Sequence, residues 1–269
     1  MSSPDRSVTS ETVALKSVIP IAPAPPSSEP TKDLNVRKNL TETKEEKKKY
    51  YVKFSFMITY ILLLTTATLT FIEAMRTNKP HVRHILNLET CISIVAGYFY
   101  SLFLSQIEAA EKENKDMSSV WDDITKTRYV DWSITTPLML LALCVVLSNN
   151  SKTLIHMTTF LFIIFMNYLM LGIGFLGEFK LLTPMTASAA GFIPFIVMFY
   201  TIYTTFVEPK PSFSNNVLFW IYAVVWGLYG LVYLLEDSVK NITMNILDCI
   251  AKCLIGNALY VYYANLIVL

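Results

Sequence analysis

The chain has 269 residues, of which 53% are hydrophobic and only 16% are charged, with a formal net charge of +1 at pH 7. Soluble domains carry about 25% charged residues, so this composition argues against a disordered chain and against a soluble enzyme. The near-zero net charge gives no general attraction to nucleic acid. The four cysteines lie inside apolar runs, without the spacing of a disulfide framework or a zinc site, so we expect no metal site.

The first 52 residues differ from the rest of the chain. They contain several prolines and a run of six charged residues over 44–49 (Lys-Glu-Glu-Lys-Lys-Lys). A segment of this composition cannot bury enough apolar surface to offset the entropy lost on ordering. We therefore predict a mobile polar N-terminal tail over 1–52 and a membrane domain over 53–269.

Seven apolar segments follow the tail, separated by short polar breaks. A bilayer core about 30 Å thick is spanned by a helix of roughly 20 apolar residues. The segments lie at 54–75, 85–107, 127–148, 153–176, 183–206, 214–235 and 241–268. Seven consecutive runs of this length argue against a soluble all-helical protein. The sequence predicts an all-α bundle of seven transmembrane helices in contact with lipid.

The orientation in the membrane does not follow from the charge of the breaks. Lys and Arg near the spans tend to stay on the cytoplasmic side. The three breaks on one side of the membrane, however, hold five Lys or Arg residues in total, and the three on the other side also hold five. Counting basic residues therefore favours neither orientation.

The third and seventh segments each contain more than one ionisable side chain, and such groups are costly in a bilayer and so indicate function. Arg128, Asp131 and Thr135 share one helix face of the third segment, and Asp248 and Lys252 share one face of the seventh. A buried lysine is the residue type that forms Schiff bases with carbonyl compounds. The two acids would supply the anion that a protonated Schiff base needs, and Arg128 would keep them ionised. The alternative is a pair of structural ion pairs.

An aromatic stripe accompanies the lysine. Trp226, Tyr229 and Tyr233 are three and four residues apart in the sixth segment and lie on one helix face. Such a stripe is often plain packing. Beside a buried lysine, it would line a pre-formed site for an elongated apolar ligand.

Together these residues resemble the microbial (type 1) rhodopsins. The third segment reads Arg-Tyr-Val-Asp-Trp-Ser-Ile-Thr-Thr-Pro-Leu over 128–138, and the seventh reads Asp-Cys-Ile-Ala-Lys over 248–252. The runs at 71–76 and 83–90 are more narrowly similar to the rhodopsins of giant viruses and related protists. The resemblance covers about 54–269 and not the tail.

The resemblance implies a seven-helix bundle with its N-terminus extracellular and its C-terminus cytoplasmic, in the plasma membrane of a host cell. It implies all-trans retinal bound covalently to Lys252 as a protonated Schiff base. Asp131 would be the primary counterion and proton acceptor, hydrogen-bonded by Thr135, with Asp248 as second counterion and Arg128 on their extracellular side. The residues implied to hold retinal are Lys252, Trp132, Thr136, Met139, Met170, Gly174, Trp226, Tyr229 and Tyr233. Transported cations or protons are the implied partners, and a homo-oligomer is compatible with the family.

One departure from the family pattern bears on the mechanism. Outward proton-pumping relatives usually carry an acid eleven residues after the proton acceptor, where this chain has Ala142. The cytoplasmic half instead offers Glu89, with Ser93 one turn away, and Asn257, five residues past Lys252. Acids that face a hydrated path attract cations. The sequence therefore favours a light-gated cation channel lined by Glu89 and Asn257, with Glu89 remote from Lys252.

Three alternatives stay open at this point. An outward proton pump would use Asp131 as acceptor, with Glu89 or bulk water returning the proton. A photosensor would pass a slow light response to a partner protein. A transporter or receptor without retinal is the remaining alternative, and none of these functions is enzymatic.

Overall fold

The computed structural model describes residues 29–113, 115 and 117–263. Within these residues every regular element is helical. The α-helices are α1 (Glu29–Arg76), α2 (Pro80–Lys112), α3 (Met117–Ser151), α4 (Met157–Glu178), α5 (Pro184–Ile202), α6 (Phe213–Val232), α7 (Asp237–Asp248) and α8 (Ile255–Tyr263). There are also two π-helical segments. Tyr203–Val207 follows α5, and Cys249–Leu254 joins α7 to α8.

Seven helical stretches in the described residues are long and apolar enough to cross a membrane. The first is Glu46–Arg76, and the last is Asp237–Tyr262, which combines α7, its π-helical segment and α8. This confirms the predicted all-helical protein with seven spans. The helix α2 begins at Pro80, earlier than predicted, because proline is well suited to the first turn of a helix.

The helix α1 begins inside the segment that the sequence predicts to be a tail. It starts at Glu29, and the charged run 44–49 continues it into the first span. Lys and Glu have good helix propensity, so a charged run can extend a helix whose apolar part is fixed by the membrane. The described residues from Glu45 onward form one compact unit. The predicted mobility of residues 1–28 lies outside the described residues.

The helices alternate in direction, which gives the bundle two ends. We name them the Arg128 end, where the first span (Glu46–Arg76), α3, α5 and α7 begin, and the Glu89 end, where α2, α4 and α6 begin. The helix α4 packs along α5, and α2 packs along α3. Large apolar side chains such as Phe165, Ile193 and Trp220 point outward, whereas the buried polar side chains point into the bundle. This arrangement suits a lipid environment, in which costly polar groups face the interior.

Irregular backbone occurs in three of the spans. Pro137 lies inside α3 and Pro194 inside α5, and each proline lacks the N–H that a helical hydrogen bond needs. Lys252 itself belongs to the π-helical segment Cys249–Leu254. Such π-bulges are rare and often mark functional sites. The irregular backbone around Lys252 therefore marks a candidate functional site.

Candidate functional site

A buried lysine and two buried aspartates form the centre of the site. Lys252 is 2% exposed, and its Nζ donates a 2.9 Å hydrogen bond to Asp131 Oδ2. The same nitrogen lies 3.4 Å from Asp248 Oδ2. The helical spacing that predicted a shared face for Asp248 and Lys252 is thus realised as direct contact. Both aspartates are fully buried, so charge must be balanced inside the cluster.

Asp248 is surrounded by donors. Its Oδ1 accepts a 2.6 Å hydrogen bond from the Tyr229 hydroxyl, and its Oδ2 accepts a 2.8 Å bond from the Tyr100 hydroxyl. Arg128 Nη1 lies 3.7 Å from Oδ2. Hydrogen bonds and a nearby cation favour the charged form of a carboxylate. This arrangement stabilises Asp248 as an anion.

Asp131 has fewer partners than Asp248. Its Oδ1 is buried and has no hydrogen-bond partner among the residues that the structure describes. The expected bond from Thr135 is present, but Thr135 Oγ1 donates to the main-chain carbonyl of Asp131 (2.9 Å) and not to its carboxylate. The reason is local, because a threonine hydroxyl in a helix readily bonds the carbonyl four residues earlier. Asp131 therefore keeps one oxygen free to take a proton.

Arg128 is buried between aromatic rings and amides. The side chain is 1% exposed, and its guanidinium carbon lies 5.2 Å from the ring centre of Phe103 and 5.4 Å from that of Phe56. Its Nη2 donates to the side-chain oxygens of Asn245 (2.9 Å) and Asn241 (3.2 Å). Sequence reasoning missed both asparagines. The available signal was the four-residue spacing of Asn241 and Asn245, which places them on the same helix face as Asp248.

An apolar cavity adjoins Lys252. Its lining is mostly apolar with a few polar groups, which is typical of small-molecule sites. All nine residues predicted to hold the chromophore line it, together with Asp248. The lining residues that sequence reasoning missed are Tyr129, Leu171, Ala187, Ser188, Gly191, Phe192, Phe195, Gly230 and Met244. Five of these belong to α5, whose small residues followed by phenylalanines were the available signal.

Two glycines keep the aromatic walls of the cavity in place. A Cβ atom at Gly174 would lie 2.6 Å from the Tyr129 hydroxyl, and one at Gly230 would lie 2.7 Å from the Phe192 ring. Neither position could hold a side chain without moving an aromatic neighbour. With aromatic and sulfur-containing walls and one lysine amine, the cavity fits the elongated apolar aldehyde that the resemblance implies.

A buried polar contact lies beside the cavity. Thr136, one of the lining residues, accepts a 2.8 Å hydrogen bond from Asn167 Nδ2. Asn167 is fully buried on α4, so this bond links α3 to α4 near the chromophore site.

Glu89 is buried next to the backbone of the seventh span. The residue is 2% exposed, and a Cβ atom at Gly256 would lie 3.1 Å from Glu89 Oε2. Gly256 follows Lys252 by four residues, which is about 6 Å along a helix axis. Glu89 therefore lies against the backbone one turn beyond Lys252, where α2 packs against α8. That Glu89 is remote from the Lys252 nitrogen stays a prediction. Ala142 is fully buried and offers no carboxyl group.

Other polar groups gather around Glu89. Asn257 Nδ2 donates to Thr66 Oγ1 (3.1 Å). Within the described part of the chain, the buried atoms Glu89 Oε1, Ser93 Oγ and Asn257 Oδ1 have no hydrogen-bond partner. Buried polar atoms in this state usually bind water or exchange protons. The structure thus brings the predicted residues Glu89 and Asn257 to the same region of the bundle.

Comparisons with known proteins identify related chains. A family model described as "Bacteriorhodopsin-like protein" matches residues 51–266. Viral rhodopsin OLPVRII, known from a crystal structure, is 39% identical, with a TM-score of 0.73, and the match covers 81% of this chain and 99% of that one. The proton pumping rhodopsin AR2 from the marine alga Acetabularia acetabulum is 20% identical, with a TM-score of 0.64 over 80% of this chain and 96% of that one, which shows a shared fold.

A curated relative matches over a shorter stretch. The blue-light absorbing proteorhodopsin of Gamma-proteobacterium Hot 75m4 is 26% identical over 160 residues. This match covers 52% of this chain and 63% of that protein, which is less than two thirds of its length. The family match, in contrast, extends from the first span to the last and includes Asp131, Asp248 and Lys252. The chain therefore belongs to the bacteriorhodopsin-like family of microbial (type 1) rhodopsins and is similar to viral rhodopsins.

Proposed function

We propose that this protein binds retinal on Lys252 and uses light to move protons out of the cell. Members of its family carry retinal as their chromophore. Bound to the lysine through a Schiff base, retinal would absorb visible light and, by isomerising, change the position and proton affinity of the Lys252 nitrogen. The remaining steps depend on side chains of this chain. The N-terminus is taken as extracellular, so the Arg128 end faces outward.

Asp131 is the acceptor for the proton of Lys252 Nζ. The two groups are already hydrogen-bonded at 2.9 Å, so the proton has a direct path. Among the described residues, Asp131 Oδ1 has no partner that would hold the carboxylate in its ionised form. Asp248, which accepts hydrogen bonds from Tyr100 and Tyr229, keeps its charge and balances Arg128.

Glu89 returns a proton to Lys252 from the opposite end. The observation that carries the proposal is that this buried carboxyl lies against Gly256, one helical turn beyond Lys252. A carboxyl group in an apolar interior favours its neutral form, and a neutral carboxyl can donate a proton. Because Asp131 lies towards the Arg128 end and Glu89 towards the other, uptake and release occur at different ends. Transport is then directional.

Flash photolysis of Glu89→Gln tests this role. A glutamine has nearly the same shape but cannot supply the proton, so the slow recovery of the Lys252 nitrogen is expected to lengthen at least tenfold. Added azide, a small mobile acid, should shorten it again. The matched control is Glu73→Gln, because Glu73 is a half-buried acid near Arg76 at the same end of the bundle. Unchanged recovery in Glu89→Gln would contradict the proposal.

A light-gated cation channel is the second candidate, and a seam of polar pairs between α1 and the seventh span favours it. The polar seam consists of Ser55 with Asn245 (2.9 Å), Thr59 with Cys249 (3.3 Å) and Thr66 with Asn257 (3.1 Å). Separation of these helices would expose polar groups over much of the membrane depth and admit cations. Each pair is held together by its own hydrogen bond, so ion conduction requires these helices to separate. Proton transfer through Glu89 requires no such movement.

A further inference from the structure

Asn245 connects four helices in the fully buried region beside Asp248. It is 0% exposed and lies on α7, three residues before that aspartate. Its Oδ1 accepts a hydrogen bond from Arg128 Nη2 (2.9 Å) and lies 3.0 Å from the Tyr100 hydroxyl, whose single proton is donated to Asp248. Its Nδ2 donates to Ser55 Oγ on α1 (2.9 Å). One amide thus joins α1, α2, α3 and α7.

The position of the Arg128 guanidinium depends on this amide. Its Nη1 lies 3.7 Å from Asp248 Oδ2, a distance at which no direct hydrogen bond fixes the pair. The shorter contact is the 2.9 Å bond from Nη2 to Asn245. The rings of Phe56 and Phe103 restrict the guanidinium laterally but provide no hydrogen-bond acceptor. Among the described residues, this amide is the nearest hydrogen-bond acceptor of the guanidinium, ahead of Asn241 (3.2 Å) and the Tyr100 hydroxyl (3.4 Å).

We propose that Asn245 is a positioning residue, whose amide holds Arg128 beside Asp248 so that Asp131 remains the carboxylate that takes up the proton. This inference rests on the proposed function only in requiring that Lys252 carries retinal. The charged groups around Asp131 are Lys252, Asp248 and Arg128. The neighbouring hydroxyls on Asp248 are those of Tyr100 and Tyr229.

Removing the amide should move the positive charge away from the acids. Without Asn245, the acceptors of Arg128 among the described residues are Asn241 Oδ1 (3.2 Å) and the Tyr100 hydroxyl (3.4 Å). Asn241 lies one helical turn closer to the Arg128 end, so the guanidinium would shift in that direction. A carboxylate that loses a nearby cation binds its proton at higher pH. Asp131 would therefore be protonated at a higher pH than in the unaltered protein.

Acid titration of the visible absorption band in the retinal-bound protein measures this effect. The red shift that accompanies Asp131 protonation is expected to occur about 1 pH unit higher in Asn245→Leu than in the unaltered protein. Ser55→Ala, which removes the partner of Asn245 Nδ2, should raise the midpoint by a smaller amount. The matched control is Asn241→Leu, which removes the outward acceptor of Arg128 and should leave the midpoint unchanged or lower it.

The opposite responses of the two asparagines separate positioning from general damage. Equal upward shifts in Asn241→Leu and Asn245→Leu would contradict the proposal, as would an unaltered midpoint in Asn245→Leu. If Asn245→Leu does not bind retinal, Ser55→Ala decides, and an unaltered midpoint there overturns the proposal. Absence of directional current in the unaltered protein would remove the proposed transport but would leave this titration result intact.

Discussion

Lys252 Nζ donates a 2.9 Å hydrogen bond to Asp131 Oδ2 inside a cluster that solvent does not reach. The second aspartate lies slightly farther from the nitrogen, at 3.4 Å, and is held by two tyrosine hydroxyls. The two carboxylates are therefore not equivalent, although both are fully buried. One can accept a proton, whereas the other is stabilised as an anion.

The lysine prediction concerns the chromophore. Lys252→Ala should abolish the red-shifted visible band of the protein reconstituted with retinal, because it removes the amine that lines the cavity. Lys126→Ala, which alters an exposed lysine paired with Asp123, is the control and should keep the band. Absorption spectroscopy measures both. A visible band in Lys252→Ala would end the assignment of retinal to this residue.

The aspartate prediction concerns the counterion. Asp131→Asn should shift the absorption band to the red, because the negative charge that stabilises the cation at the Lys252 nitrogen is lost. Acidification of the unaltered protein should reproduce the shift as Asp131 takes up a proton on its free oxygen. If Asp131→Asn shows no shift while Asp248→Asn does, then the roles of the two aspartates are reversed.

The glycine prediction tests the position of Glu89. A methyl group at Gly256 would lie 3.1 Å from both Glu89 Oε2 and Thr66 Cγ2, so Gly256→Ala must displace one of them. Overpacking of this kind costs about 1–3 kcal/mol, and slower recovery in flash photolysis is expected if the carboxyl group moves. Gly172→Ala is the control, because a Cβ atom there meets no neighbour within 4 Å. Equal recovery times in the two variants would show that recovery does not depend on the position of the Glu89 carboxyl group.

The channel prediction concerns the polar seam. Thr66→Val removes the acceptor of Asn257 while keeping the shape of the side chain. If ions pass along the seam, this variant should change the size or ion selectivity of the light-induced current. Under proton transport through Glu89, selectivity should stay strictly for protons. Measurement of currents in solutions of different cations distinguishes the two outcomes.

Much of this architecture follows from sequence patterns with short-range causes. Apolar length predicts the seven spans, and four-residue spacing predicts that Asp248 and Lys252 share a face. The partner of Glu89 could not be predicted in this way, because Gly256 lies far away in the chain and has no side chain to form a pattern. Asn245 was missed because an asparagine near a membrane surface is usually solvated. Thr135 donates to the main-chain carbonyl of Asp131 because a threonine hydroxyl in a helix is always within reach of the carbonyl four residues earlier.

The α5 wall of the cavity was also missed for a physical reason. Gly191 and Phe192 look like ordinary residues of a lipid-facing apolar helix, and their role depends on how α5 is rotated against α4. When a helix is apolar on all sides, its sequence does not indicate which side faces the interior of the bundle. The site residues that were predicted, such as Trp226 and Tyr229, lie on helices with a distinct aromatic face.

The dependence of photocurrent on voltage tests the central claim most directly. With equal solutions on both sides of the membrane, the account predicts an outward current at every voltage over the accessible range, since proton uptake at Glu89 and release beyond Asp131 are tied to light. The current should shrink at negative voltage but keep its direction. A current that reverses sign at the equilibrium potential of a cation would contradict outward proton transport and identify the protein as a light-gated channel.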